Sequence, residues 1–390
     1  MSGGPASGRR LDLDWLRVTA LGLLILTHVT YVYRTTAWRV QSEHAGLWGD
    51  LLVEALSPWR MSLVFFIGGA ATRFMLQNRD LGGFTVNRIL RLGVPFAMAA
   101  LLLVPPMWYM TDPLARGQDY LVYVMHTPMH AHTVYGYHLP DLGHVWFLPY
   151  LFCYAMTAAL AWRFAPRAWK HAEALFAAAP VVILVAAMAV LFVVSDALLK
   201  PVFGHSDMLI DDPAGHVRAI PAFLAGLMLA RADAVWTKLR KARVWLAPAA
   251  LAAMAAALAA TAIETASSQT LSPAVVGTVD GIYGALAVFA ILAIAQDLLN
   301  RDSPALRYLS DAIMPVYLMH QPVIIAAGLG LFALGAPVWV EYPLLLACTA
   351  LIPLTIYHLV IRGSDPLRLA FGLRPRRRAA ATNSAPQPSA

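Results

Sequence analysis

Charge is scarce in this chain. Asp, Glu, Lys and Arg together make up 13% of its 390 residues, against roughly 25% in an ordinary soluble protein. With 59% of residues hydrophobic, a conventional soluble fold is excluded. Cysteine is nearly missing as well. Cys153 and Cys348, the only two, both fall in apolar runs, so they are expected to be buried thiols, and a disulfide framework is ruled out. There is no Gly-x-Ser-x-Gly elbow, no Walker phosphate loop and no Rossmann glycine pattern, which argues against a hydrolase, ATPase or dehydrogenase of standard type. The first apolar segment has no evident small-residue cleavage site and carries Asp14 and Arg17 at its start, so it is expected to remain as a helix. No internal repeat is visible.

Apolar runs near 20 residues recur instead along the whole chain, the mark of a polytopic, all-α membrane protein with about ten transmembrane helices. The runs cover 13–33, 57–76, 89–110, 144–163, 173–196, 216–231, 243–262, 273–296, 308–332 and 338–361. Most Lys and Arg fall in alternate connections or in the tails, as in Arg73 to Arg91, Arg163 to Lys170, Arg231 to Arg243, Arg301 to Arg307, and Arg362 onward. The intervening loops are acidic or His-rich. The net charge of +7 therefore reflects the positive-inside rule and not nucleic-acid binding, and it places both termini in the cytoplasm. Residues 1–12 read as a cytoplasmic segment, 13–372 as the membrane domain, and 373–390 as a disordered basic and Pro/Ser/Ala tail. The Ala-rich stretch Met254 to Ala260 suits close helix packing. In the long loop 111–143, His126, His130 and His132 invite a zinc reading, but Pro128 interrupts their helical spacing and no metal is expected.

Ionisable residues inside an apolar span cost about 3 kcal/mol or more each, so those present need a reason. Arg17 and His28 share the first span. Eleven residues of helix turn about 1100°, which leaves both side chains on one face about 16 Å apart. Asp14 stands one turn before Arg17, where it could pair with it. His144 opens the fourth span, and His320 lies within the ninth beside Pro322, which loosens the helix and can free a carbonyl. Each histidine could be a packing or interfacial residue when taken alone. Three within reach of one depth point to a general base and its partners. Arg88 and Arg91 also read as topology anchors, and Arg60, at the edge of the second run, as a snorkelling side chain.

These residues resemble, in order, the landmarks of the acyltransferase 3 family of integral-membrane O-acyltransferases. Arg17-x10-His28, Arg60-Met61-Ser62-Leu63-Val64-Phe65-Phe66-Ile67-Gly68-Gly69, Arg88-x-x-Arg91-x-x-x-Pro95, His144-x-Trp146-Phe147-Leu148 and Tyr317-x-x-His320 carry the likeness. Gly68 departs from it, since relatives commonly have Ser there. Within the family the likeness is strongest to the glucan-biosynthesis protein C type, associated with succinylation of periplasmic glucans. The resemblance implies a multi-pass protein of the bacterial cytoplasmic membrane that moves an acetyl or succinyl group from cytoplasmic acyl-CoA to a hydroxyl of a cell-envelope carbohydrate. Acyl-CoA would be a co-substrate, with no bound cofactor. His28, His144 and His320 would be catalytic. Arg17, Asp14, Arg60, Arg88, Arg91, Trp146 and Tyr317 would bind substrate. A secondary transporter of a small anion or sugar also combines buried His and Arg with many spans, although the lack of a repeat weakens that alternative.

Overall fold

The computed structural model describes residues 10–127, 132–134, 137–139, 141–204, 206–267 and 270–376. Its helices are α1 (Leu11–Tyr31), α2 (Leu47–Leu76), α3 (Leu81–Thr111), α4 (Tyr120–His126), α5 (Gly143–Phe164), α6 (Pro166–Ala178), α7 (Val181–Phe203), α8 (Pro213–Leu229), α9 (Asp233–Ser267), α10 (Pro273–Leu298), α11 (Pro304–Phe332), α12 (Val338–Ile361) and α13 (Asp365–Ala370). Among the described residues, nine of these are long and apolar enough to cross a membrane. The 17-residue α8 fills the place of the sixth expected span but is shorter than the rest. The short strands β1 (His132–Val134) and β2 (Tyr137–Leu139) pair antiparallel within the long loop.

Local chemistry sets the helix starts. Asp80, Asp212 and Ser303 cap α3, α8 and α11 by accepting the backbone N–H of Gly83, Gly215 and Leu306 at 3.1, 2.9 and 3.1 Å. Proline at the first helical position helps α8, α10 and α11 begin, because its missing N–H would have no partner there.

Several boundaries differ from the sequence expectation, and for two of them the reason is visible in the fold. The second helix begins at Leu47, ten residues before the apolar run at 57–76. It continues through Pro58 because side chains take up nearby carbonyls. Trp59 Nε1 and Tyr283 Oη donate to the Ala55 carbonyl at 2.9 and 2.5 Å, and Arg218 donates to that of Pro58. The fifth span begins at Val181 and not at 173, since Pro180 ends the preceding helix. That preceding helix, α6, is a separate amphipathic element that buries Trp169, and its Glu173 pairs with Arg73 at 2.6 Å.

Helix α2 is central and packs against α1, α8, α9 and α10. Its crossing with α8 is the closest of these. A Cβ on Gly69 would strike the Phe223 carbonyl, and one on Gly226 would strike that of Phe66. Glycine on both sides lets the two backbones touch, as small residues do between membrane helices. Helix α11 packs against α1 and α12. The resulting contacts bring α1, α2, α5 and α11 around one buried polar region.

Candidate active site

His28 of α1, His144 at the start of α5 and His320 of α11 come together. The ring centroids of His28 and His320 lie 5.0 Å apart, and those of His144 and His320 lie 4.9 Å apart. His144 and His320 are 5% and 0% exposed. His144 is thus a buried residue, not the solvated end residue that its place at a span edge allows.

Each ring spends one nitrogen on a backbone carbonyl. His28 Nδ1 meets Leu24 O at 2.9 Å, His144 Nε2 meets Leu318 O at 2.9 Å, and His320 Nδ1 meets Tyr317 O at 2.5 Å. A carbonyl only accepts, so each of these nitrogens carries the proton in a neutral ring, and the other nitrogen keeps its lone pair. On His144 that second nitrogen is Nδ1, and on His320 it is Nε2. Both are buried and have no hydrogen-bond partner. The region therefore gathers three proton acceptors.

The local sequence explains how these rings are aimed. Pro322 has no N–H, so the Leu318 carbonyl four residues earlier loses its helical partner. His144 supplies the replacement. Gly143 precedes His144 with φ +51° and donates its N–H to Asp141 at 2.8 Å. Asp141 is held in turn by Arg39 at 2.5 Å. The Tyr317 hydroxyl donates to the His144 carbonyl at 2.5 Å, and its ring stacks on that of His320, with centroids 5.9 Å apart.

Arg60 supplies the charge. It sits well inside α2, 3% exposed, with Nε and Nη1 buried and unpartnered. The early start of α2 places it there, so the snorkelling alternative is removed. Its charge acts on His28, Tyr31 and His320. Two further polar groups join the cluster. The Tyr31 ring lies 5.3 Å from that of His28, and Gln321 is buried with Oε1 unpartnered. The adjacency of Gln321 to His320 was the available sequence signal for it.

A second centre lies toward the other end of α1. Arg88 is buried, donates from Nη2 to Thr72 at 2.9 Å and leaves Nε without a partner. Arg91 sits on a π-helical turn, Ile89–Gly93, and Arg17 is exposed nearby. The charges of Arg17 and Arg91 act on Arg88, and those of Arg374, Arg17 and Arg368 act on Arg91. From sequence, Arg374 falls in the basic tail and Arg368 at the end of the membrane domain, and their folding back onto this centre was not legible. Asp14 lies half-buried one turn before Arg17. Trp146 enters an aromatic group with Tyr150 and Phe65, at centroid distances of 5.2 and 6.3 Å.

Two cavities lie away from the imidazoles. One, of about 420 Å³, opens at the end of the bundle that holds the long loop, among Arg39, Gln41, Tyr109, Asp112 and Arg116. Next to Asp112, burial and the nearby carboxylate push the Tyr123 phenol above its usual range. The other, of about 230 Å³, is apolar and lies between α3 and α5. Among the described residues no group of three His, Cys, Asp or Glu could hold a metal. His126 is exposed at the end of α4, while His130 and the side chain of His132 lie outside the described residues. Cys153 and Cys348 are free and half-buried, where full burial was expected.

A model of an acyltransferase domain matches residues 10–358. The chain belongs to the acyltransferase 3 family. Among curated proteins it is similar to "Glucans biosynthesis protein C" of Escherichia coli strain K12, with 26% identity over 165 residues, 40% of this chain and 39% of the relative. The proteins of the same name from Escherichia coli O1:K1 / APEC and O139:H28 match with the same identity and coverage. The chain thus spans 39% of the length of these relatives. No solved structure matches. The family match covers both centres except for Arg368 and Arg374, which lie beyond its end.

Proposed function

We propose that this protein is a membrane-bound O-acyltransferase that moves an acetyl or succinyl group from cytoplasmic acyl-CoA to a hydroxyl of a cell-envelope carbohydrate. A periplasmic glucan is the leading acceptor, in keeping with the name of the relatives. Both termini and the arginine centre face the cytoplasm, and the long loop faces outward in the bacterial inner membrane, as the distribution of basic residues supports.

One observation carries this reading. Three imidazoles, each with one nitrogen spent on a backbone carbonyl, gather where the charge of Arg60 acts, and Nε and Nη1 of Arg60 are buried and unpartnered. Arg17 stands about 16 Å from His28 along α1. Arg17, Arg88 and Arg91 take the phosphates of CoA, for which planar guanidinium groups are well suited. The pantetheine arm can bridge the distance and bring the thioester to His28. The acceptor hydroxyl gives its proton to His28 Nε2 while its oxygen attacks the thioester carbonyl. The C–S bond then breaks, an ester forms, and the thiolate takes the proton back. His144 and His320 keep acceptor lone pairs, so they orient the acceptor and share the proton, and negative charge on the carbonyl oxygen falls to Arg60.

The test is mass spectrometry of envelope glycans from cells with and without the gene. A mass difference equal to an acyl group, lost with the gene and restored by complementation, is expected. Identical glycans, with a small substrate accumulating on one side of the membrane, would mark a transporter instead.

A further inference from the structure

The family match ends at residue 358, yet the chain beyond it folds back onto the arginine centre. Gly372 sits with φ +69°, and a Cβ there would meet Pro95 Cγ at 2.7 Å and the Arg91 carbonyl at 2.9 Å. The segment therefore lies flat against the turn that carries Arg91. Phe371 and Leu373 are buried beside it. Arg368 is buried too, with Nε donating to the Arg374 carbonyl at 2.7 Å and Nη1 paired with Asp311 at 3.2 Å. The Arg376 N–H donates to Asp365 at 2.9 Å and closes the segment on itself. These contacts make an anchored strap that holds the exposed side chain of Arg374 near Arg91.

The charge balance asks for an anion. Arg17 and Arg91 act on Arg88, and Arg374, Arg17 and Arg368 act on Arg91. Asp311, a carboxylate that acts on Arg91, is already paired with Arg368. Arg88 is more than nine-tenths buried and its Nε has no partner. Arg88 and Arg368 are the buried members, and like charge gathered around a buried guanidinium raises the free energy unless an anion joins it.

We propose that Ser364–Arg376 is part of the donor site, with Arg374 binding a phosphate of the nucleotide portion of acyl-CoA and Arg368 acting as a positioning residue that holds the strap. This rests on the reading that acyl-CoA is the donor. The same phosphate chemistry could come from a lipid headgroup, and the experiment separates the two. The full chain is placed in nanodiscs of phosphatidylcholine alone and titrated with CoA, as wild type and as Arg374→Gln, Arg374→Lys and Arg88→Gln.

The expected result is CoA binding weakened roughly 10-fold by Arg374→Gln and partly restored by lysine, the scale of one charged hydrogen bond. An acyl-pantetheine donor that lacks phosphates should be turned over equally by wild type and Arg374→Gln, which a merely structural strap would not give. If Arg88→Gln weakens CoA binding while Arg374→Gln binds as wild type does, the strap is not part of the site and the donor reading stands. If neither variant changes CoA binding, the donor reading falls, and the strap proposal with it. If Arg374→Gln loses binding to phosphatidylglycerol nanodiscs but keeps CoA, the strap serves a lipid and the proposal is overturned.

Discussion

Among single residues, Pro322 links backbone to chemistry. It leaves the Leu318 carbonyl without its helical donor, and His144 Nε2 fills the gap, which fixes the tautomer of that ring. Pro322→Ala would restore a backbone donor that competes with His144. The expected outcome is a higher thermal unfolding temperature together with lower turnover, measured on the same purified sample. Arg60 carries a different expectation. As the group that meets charge growing on the carbonyl oxygen, Arg60→Gln should lower kcat by roughly 10² to 10³-fold, with Arg60→Lys intermediate and donor KM little changed. A large rise in donor KM at unchanged kcat would move Arg60 out of the chemistry. That Arg17 and His28 stand on one side of α1 follows from helical periodicity alone. The contacts among His28, His144 and His320 were not, because they depend on how three helices distant in sequence cross.

For whole elements, the turn of α2 around Pro58 decides where Arg60 lies. Arg218 binds both Asp196 and the Pro58 carbonyl, and Tyr283 binds the Ala55 carbonyl. Arg218→Ala would leave a mostly buried carboxylate uncompensated, at a cost of about 3 kcal/mol or more. The expected result is a lowered unfolding temperature together with reduced activity. The α2 and α8 crossing has its own test. Gly226→Val would push the backbones apart at a cost of about 1 to 3 kcal/mol, seen as lower thermal stability in detergent. The true start of α2 was hidden because Asp50 and Glu54 make residues 47–56 look like a loop. Asp50 is in fact satisfied within the fold, accepting from Arg34 Nε at 3.2 Å and Thr35 Oγ1 at 2.6 Å. Pro180, by contrast, was visible in the sequence, and its power to separate α6 from α7 outweighed an apolar run that continues across it.

Across the whole molecule, the order of the helices followed from hydropathy, because a bilayer imposes a minimum apolar length on anything that crosses it. The strap was not legible, since Arg374 to Arg378 read as the start of a solvated basic tail and nothing local in the sequence says that Phe371 and Leu373 turn inward. Orientation can be tested with single cysteines in a variant lacking Cys153 and Cys348. In intact spheroplasts, a membrane-impermeant maleimide should label Gln118→Cys and spare Arg301→Cys. The reverse pattern would invert the proposed direction of transfer.

The most direct measurement supplies radiolabelled acyl-CoA to inverted membrane vesicles with glucan inside, and compares wild type with His28→Ala. Label should appear covalently on the glucan with the wild type and fall by roughly 10² to 10⁴-fold with the variant, the range of positioned general-base catalysis, while both proteins insert equally. Undiminished glucan labelling by His28→Ala would contradict the account.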